Sequence, residues 1–317
     1  MPLSFVPLVL YRVSDNLMKA SVQTLPLNPD AGKTVLSLVC ELVKVRLTFL
    51  VLLTTLMGFY LGARSMDFSL LVHTLLATGL VASGASALNQ FLERSHDARM
   101  RRTEDRPLPS GRMQPETALM FGAVSGAVGL LYLAMAVNPL TAVLGAITLC
   151  SYVFVYTPLK RVTSLNTAVG AIPGALPPLM GWTAATGQLS VEGWTLFAIL
   201  FFWQLPHFLA IAWIYREEYA QAGFVMLPVI DPQGIRTGRQ AVSHTLGLLP
   251  VSLTPFLFHL VGPLYFYGGL LLGVGFLVLA VQFSRRLTIT SARHLFYASI
   301  LYLPLLLGLM AISKIKN

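Results

Sequence analysis

Apolar segments of near-membrane length recur along this chain, at approximately 45–63, 69–90, 116–136, 139–158, 164–184, 192–215, 241–260, 263–283 and 294–313. About twenty helical residues cross the hydrocarbon of a bilayer. Lipid accepts only backbone whose polar groups are satisfied within the segment. The pattern predicts an all-α, polytopic membrane protein, with about nine transmembrane helices bundled around a central cavity. Composition excludes a soluble domain: 55% of the 317 residues are hydrophobic and 11% are charged, against roughly a quarter charged in soluble proteins.

The formal net charge of +9 is a matter of topology. Arg94 to Arg112, Lys160 and Arg161, Arg216, Arg236 and Arg239, then Arg285, Arg286 and Arg293 follow the even-numbered segments. The other side receives Arg64, Lys314 and Lys316. Positive connections stay in the cytoplasm, so the expected orientation is N-in and C-out, with every sizeable loop on the cytoplasmic face. No Lys/Arg-plus-aromatic surface interrupts the apolar segments, which excludes nucleic acid as a partner. Cys40 and Cys150 have neither disulfide nor metal-ligand spacing and read as small buried hydrophobes.

Residues 1–40 read as a cytoplasmic N-terminal tail. The apolar run Leu3–Leu10 is too short to span, and Asp15, Asp30 and the scarcity of arginine are unlike a transit peptide. The expected location is the bacterial cytoplasmic (inner) membrane. Residues 41–317 form one intramembrane domain with polar loops at about 91–115, 159–163 and 216–240. Within it, "NTAVGAIPGALPPLMGW" is rich in small residues and reads as close helix packing through small faces, the alternative being that Pro173, Pro177 and Pro178 break a helix beside a cavity.

One stretch concentrates charge. Asn89–Met113 carries six arginines, two glutamates and two aspartates. Asn89, Glu93 and Asp97 are spaced i, i+4, i+8, so a continuous helix presents all three within about 80° of one another. Such an oxygen-bearing face suits Mg²⁺, which takes one or two carboxylates and fills its shell with water and phosphate oxygens. Arg99, Arg101, Arg102 and Arg106 follow as bidentate phosphate donors. A polybasic loop attracted to anionic lipid would explain the arginines but not the carboxylates. Two more clusters lie on the same expected face: Tyr156, Lys160 and Arg161 in "YTPLKR", and Tyr215, Glu217, Glu218 and Tyr219 in "YREEY".

Together, "NQFLERSHDARMRRTEDRPL", "YTPLKR" and "WQLPHF…YREEYAQAGFVMLP" resemble the haem branch, the protohaem IX farnesyltransferases or haem O synthases, of the intramembrane aromatic prenyltransferase (UbiA-type) superfamily. The likeness runs from about residue 40 to the C-terminus. It implies an intramembrane prenyltransferase that moves the farnesyl group of farnesyl diphosphate to a vinyl group of protohaem IX with water addition, giving haem O and pyrophosphate. It implies a Mg²⁺ cofactor held by Asn89, Glu93 and Asp97, with Arg102, Arg106, Lys160 and Arg161 on the diphosphate, and catalytic roles for Asn89, Glu93, Asp97, Arg102 and Lys160. Beyond the two substrates and membrane lipid, the expected partner is a downstream haem-modifying enzyme or oxidase assembly factor. The alternative acceptor is a quinone-precursor aromatic ring. Quinone-branch members usually carry a second aspartate pair where this chain has Tyr215, Glu217, Glu218 and Tyr219.

For the haem, His207 lies about eight residues before the end of the sixth segment, roughly 12 Å below the surface. An ionisable group at that depth is a functional candidate, and imidazole is a common haem-iron ligand. Trp203, Phe208 and Trp213 could stack on a porphyrin. His73, His244, His259 and His294 read as structural, and His96 as a minor candidate for handling a proton.

Overall fold

The computed structural model describes residues 34–315, so the reading of the first thirty-three residues lies outside them. Residue contacts divide the chain after Ser37, and the unit from Leu38 onward holds every long helix. The short α1 (Val35–Leu42) precedes α2 (Val45–Gly62), α3 (Phe68–Asp97), α4 (Pro115–Ala136) and α5 (Pro139–Leu159). Next come α6 (Asn166–Thr186), α7 (Val191–Ile214), and the short α8 (Arg216–Gln221) and α9 (Leu227–Ile230). The chain ends in α10 (Ile235–Leu257), α11 (Pro263–Arg286) and α12 (Ile289–Ser313). Among the described residues the regular elements are all helices, joined by turns and loops, with one isolated bridge between Val261 and Lys314.

Seven described helices are long and apolar enough to cross a membrane: α2 to α5, α7, α11 and α12. α6 and α10, of 21 and 23 residues, fall on the fifth and seventh expected segments. Their Gly/Pro-rich and arginine-bearing sequences lower their hydropathy. Local chemistry sets the boundaries. Asp67 accepts from the Leu70 N–H at 2.9 Å to start α3, Asn138 accepts from Thr141 to start α5, and Thr288 with Ser291 forms a capping box on α12.

Lipid supplies no hydrophobic force between helices, so close backbone approach and dispersion must hold them. α3 and α4 meet along glycines: a Cβ on Gly84 would sit 2.6 Å from the Gly126 nitrogen. α2 and α6 meet at Gly58 and Gly181, where a Cβ would overlap the Pro178 and Thr55 carbonyls respectively. α6 packs closely through small residues, as the favoured reading of its sequence has it, and the alternative, a break at its prolines, does not occur. Pro173, Pro177 and Pro178 are all buried inside one uninterrupted helix, packed between α2, α5 and α7. Neighbouring helices keep such a segment in place despite its missing N–H groups.

One apolar core lies among α3, α5 and α6 (Val81, Leu144, Leu179, Met180), and a second among α7, α10, α11 and α12 (Leu209, Leu248, Phe276, Leu306). The halves join at α6–α7 and again at α2–α12. At the second joint Tyr60 Oη donates to the Ala311 carbonyl at 3.3 Å. Lys314 Nζ donates to the carbonyls of Tyr60 (2.5 Å) and Ala63 (2.7 Å), a cation on the C-terminal carbonyls of α2. Cys40 and Cys150 are exposed, not buried as expected. On a membrane helix the outer face is itself apolar, so a small thiol such as Cys150 gains nothing from turning inward.

Candidate active site

α3 runs seven residues beyond the expected segment, to Asp97, and its last two turns carry a polar face inward. Asn89, Gln90, Glu93 and Asp97 are all buried, at 4% exposure or less. Gln90 Nε2 donates to the Leu42 carbonyl at 2.6 Å, and Ser86 Oγ to the same oxygen at 3.0 Å. These bonds satisfy the end of α1. The chain then turns through Lys44, whose φ of 50° is in the left-handed region, before α2 begins. That turn brings Lys44 Nζ to Asn89 Oδ1 at 3.2 Å. Asn89 Nδ2 in turn donates to Thr157 Oγ1 at 3.0 Å.

Each carboxylate has a cation. Arg106 Nη1 lies 2.6 Å from Asp97 Oδ2, and Lys160 Nζ lies 2.7 Å from Glu93 Oε1. The second pair is a buried contact between an ammonium and a carboxylate oxygen. Burial disfavours every one of these charges, and pairing is what retains them. For Lys44, burial and then the neighbouring Arg106 and Lys160 bring the ammonium down to about 7. Burial also works against Lys160, but Tyr156 and Glu93 outweigh it and hold its pKa above the ordinary value.

The loop after α3 is folded by its own side chains. Thr103 Oγ1 donates to the Asp97 carbonyl at 2.8 Å, and Met100 packs with Phe224 and Met226. α5 contributes differently. Its last turns widen into a π-helix over Ser151–Tyr156, which brings the Tyr152 and Tyr156 rings to 5.5 Å. Such widened turns often mark functional sites. Lys160 Nζ sits 4.5 Å from the centre of the Tyr156 ring, and Gly170 of α6 leaves no room for a Cβ against that ring.

These groups line a cavity of about 430 Å³ that includes Lys44, Asn89, Glu93, Asp97, Arg106 and Tyr152. A second cavity of about 600 Å³ adds Thr167, Phe208 and Ile211. Arg102, Tyr156, Lys160, Tyr219 and Met226 belong to both. The third sequence cluster is divided. Tyr219 Oη accepts from Arg102 Nη2 at 3.1 Å, Tyr215 lies 5.2 Å under the same guanidinium, and Glu218 accepts from the Arg102 backbone N–H at 3.3 Å. Glu217 is exposed. Arg161 is exposed and lines neither cavity.

His207 and Trp203 also lie apart from both cavities. His207 Nδ1 bonds Ser299 Oγ at 2.7 Å, and Trp203 Nε1 donates to the Ser299 carbonyl at 2.9 Å. The His207 ring stacks on Trp203 at 5.2 Å and leans on Phe296 at 5.1 Å. His96 stacks on Phe224, and His73 bonds Tyr132 Oη at 2.7 Å. Sequence reasoning missed Lys44 and Tyr152. A lysine before an apolar run looks like any interfacial anchor, and nothing in the sequence marks the π-turn.

The profile of the UbiA prenyltransferase family matches residues 51–306. The chain belongs to the UbiA prenyltransferase family. Within it, the chain is 48% identical to a protohaem IX farnesyltransferase of Solibacter usitatus over 86% of its own length and 97% of that protein's. It is 46% identical to one from Myxococcus xanthus, over 95% and 100% respectively. Solved structures share the UbiA fold. A digeranylgeranylglyceryl phosphate synthase superposes with TM-score 0.76 at 15% identity, covering 89% of this chain and 99% of the other. A UbiA homologue from Archaeoglobus fulgidus bound to GPP and Mg²⁺ gives 0.61 at 14%, covering 86% and 99%.

The oxygens present fit a divalent cation. Among the described residues no group of three His, Cys, Asp or Glu gathers. Asn89 with two carboxylates is nevertheless the small protein set that Mg²⁺ uses when phosphate and water complete its shell.

Proposed function

We propose that this chain transfers the farnesyl group of farnesyl diphosphate to a vinyl group of protohaem IX, with addition of water, to give haem O and pyrophosphate. The observation that carries the reading is the single cavity in which Asn89, Glu93 and Asp97 face Lys44, Arg106 and Lys160. Both signs are needed to hold a metal diphosphate. Relatives 48% and 46% identical over nearly their whole length are named protohaem IX farnesyltransferases, which favours haem over a quinone-precursor ring as the acceptor.

Arg106, Lys160 and Lys44 donate to the diphosphate and stabilise the charge that gathers on pyrophosphate as the allylic C–O bond breaks. Asn89, Glu93 and Asp97 would hold Mg²⁺, which when bound neutralises diphosphate charge as a Lewis acid. The aromatic walls, Tyr152, Tyr156 and Phe224, keep water from the allylic centre. The domain from residue 41 lies in the bacterial inner membrane with these cavities on the cytoplasmic side. Haem O passes to a haem-modifying enzyme or oxidase assembly factor.

The test uses membranes containing the protein, labelled farnesyl diphosphate, and either protohaem or a hydroxybenzoate. Label should enter a haem of the mass of haem O, and appearance in the aromatic acid alone would sink the reading. Chelation should stop the transfer and added Mg²⁺ should restore it.

A further inference from the structure

The two cavities divide the cations unevenly. Lys160 is committed to Glu93 and Arg106 to Asp97, while Lys44 bonds Asn89 and lines the first cavity alone. Arg102 differs. Its guanidinium has no carboxylate within ion-pair distance among the described residues. It is held instead by the Tyr219 hydroxyl at 3.1 Å and by the Tyr215 and Tyr219 rings at 5.2 and 5.7 Å. Its residue is exposed, so it stands at the open mouth where the cavities meet, whereas Lys160 and Tyr156 lie deeper. The rest of the second cavity's lining is Lys160, already paired with Glu93, the Tyr156 and Tyr219 rings, Thr167, and an apolar wall of Phe208, Ile211 and Met226.

A cavity with one apolar wall and, at its wet end, a guanidinium held in no side-chain ion pair among the described residues suits a flat, hydrophobic molecule with an acidic edge. We infer that the second cavity receives the acceptor and that Arg102 grips one of its carboxylates there. The inference rests on the haem reading above, since protohaem carries two propionates on one edge and is otherwise apolar. The aromatic rings beneath Arg102 fix the plane of its fork, which favours two parallel hydrogen bonds to a carboxylate over a looser contact.

The experiment compares protohaem with its dimethyl ester as acceptors for the wild-type protein, Arg102→Gln and Arg102→Lys, in membranes. For the wild type, esterification should raise the acceptor KM about tenfold or more, the range of a charge-assisted hydrogen bond. Arg102→Gln should raise the KM for protohaem by a similar factor, with esterification adding little more. The KM for farnesyl diphosphate should stay within about twofold, set by the cations of the first cavity. Should Arg102→Gln fail to accumulate, Arg102→Lys carries the test: the preference for acid over ester should shrink without vanishing. The inference is overturned if substitution and esterification multiply independently, if the preference is unchanged in Arg102→Lys, or if the loss falls on farnesyl diphosphate instead. A wild-type protein that farnesylates neither acceptor defeats the haem reading itself, a result distinct from these.

Discussion

Lys44 adopts a backbone conformation that costs a non-glycine residue about 1–2 kcal/mol, and it does so to point an ammonium into a buried cavity. Strain of this kind persists where surrounding structure over-determines it; here Ser86 and Gln90 hold the end of α1 in place. Lys44→Met should therefore raise the KM for farnesyl diphosphate about tenfold while leaving the protein folded, as judged by its detergent-solution melting. Glu93 and Asp97 answer to a harsher rule. Glu93→Gln or Asp97→Asn removes a charge and leaves Lys160 or Arg106 buried without its partner. Either variant should lower haem O formation at least about a hundredfold, measured by mass analysis of extracted haem. Unchanged haem O content would count against any chemical role for this face.

Among the helices, α5 and α6 show where reading the sequence stops. The row Asn89, Glu93, Asp97 was legible because an α-helix keeps its register, and α3 proved continuous through all three. Tyr152 and Tyr156, at i and i+4, neighbour each other on any helix; what no spacing rule reveals is the π-turn of α5 that carries them. In α6 the prolines drew attention, yet its glycines set the geometry. Gly170 admits the Tyr156 ring, and Gly181 admits the backbone of α2. Gly170→Ala should displace Tyr156 and lower turnover several-fold with little change in stability. Gly181→Val should push α2 from α6 and destabilise the protein by about 1–3 kcal/mol. Thermal unfolding of the two purified variants would separate these effects.

For the whole molecule, positive charge sets direction. From residue 232 to 317 the chain has no aspartate or glutamate. The exposed Arg236, Arg239, Arg285, Arg286 and Arg293 cluster at the helix ends that adjoin the loops of the site. With this distribution the loop containing Glu104 should face the cytoplasm and the turn at Gly187 the opposite side. In a background lacking Cys40 and Cys150, Glu104→Cys should resist a membrane-impermeant thiol reagent applied to intact cells, and Gly187→Cys should react. The reverse pattern would invert the topology. Closure of the bundle has an order as well. The ammonium that joins α2 to α12 belongs to Lys314, a residue made long after α2 has entered the membrane. Assembly is thus sealed from its last-synthesised end: a chain released before residue 314 lacks the clasp, and its first long helix keeps bare C-terminal carbonyls that distinguish an unfinished product from a finished one.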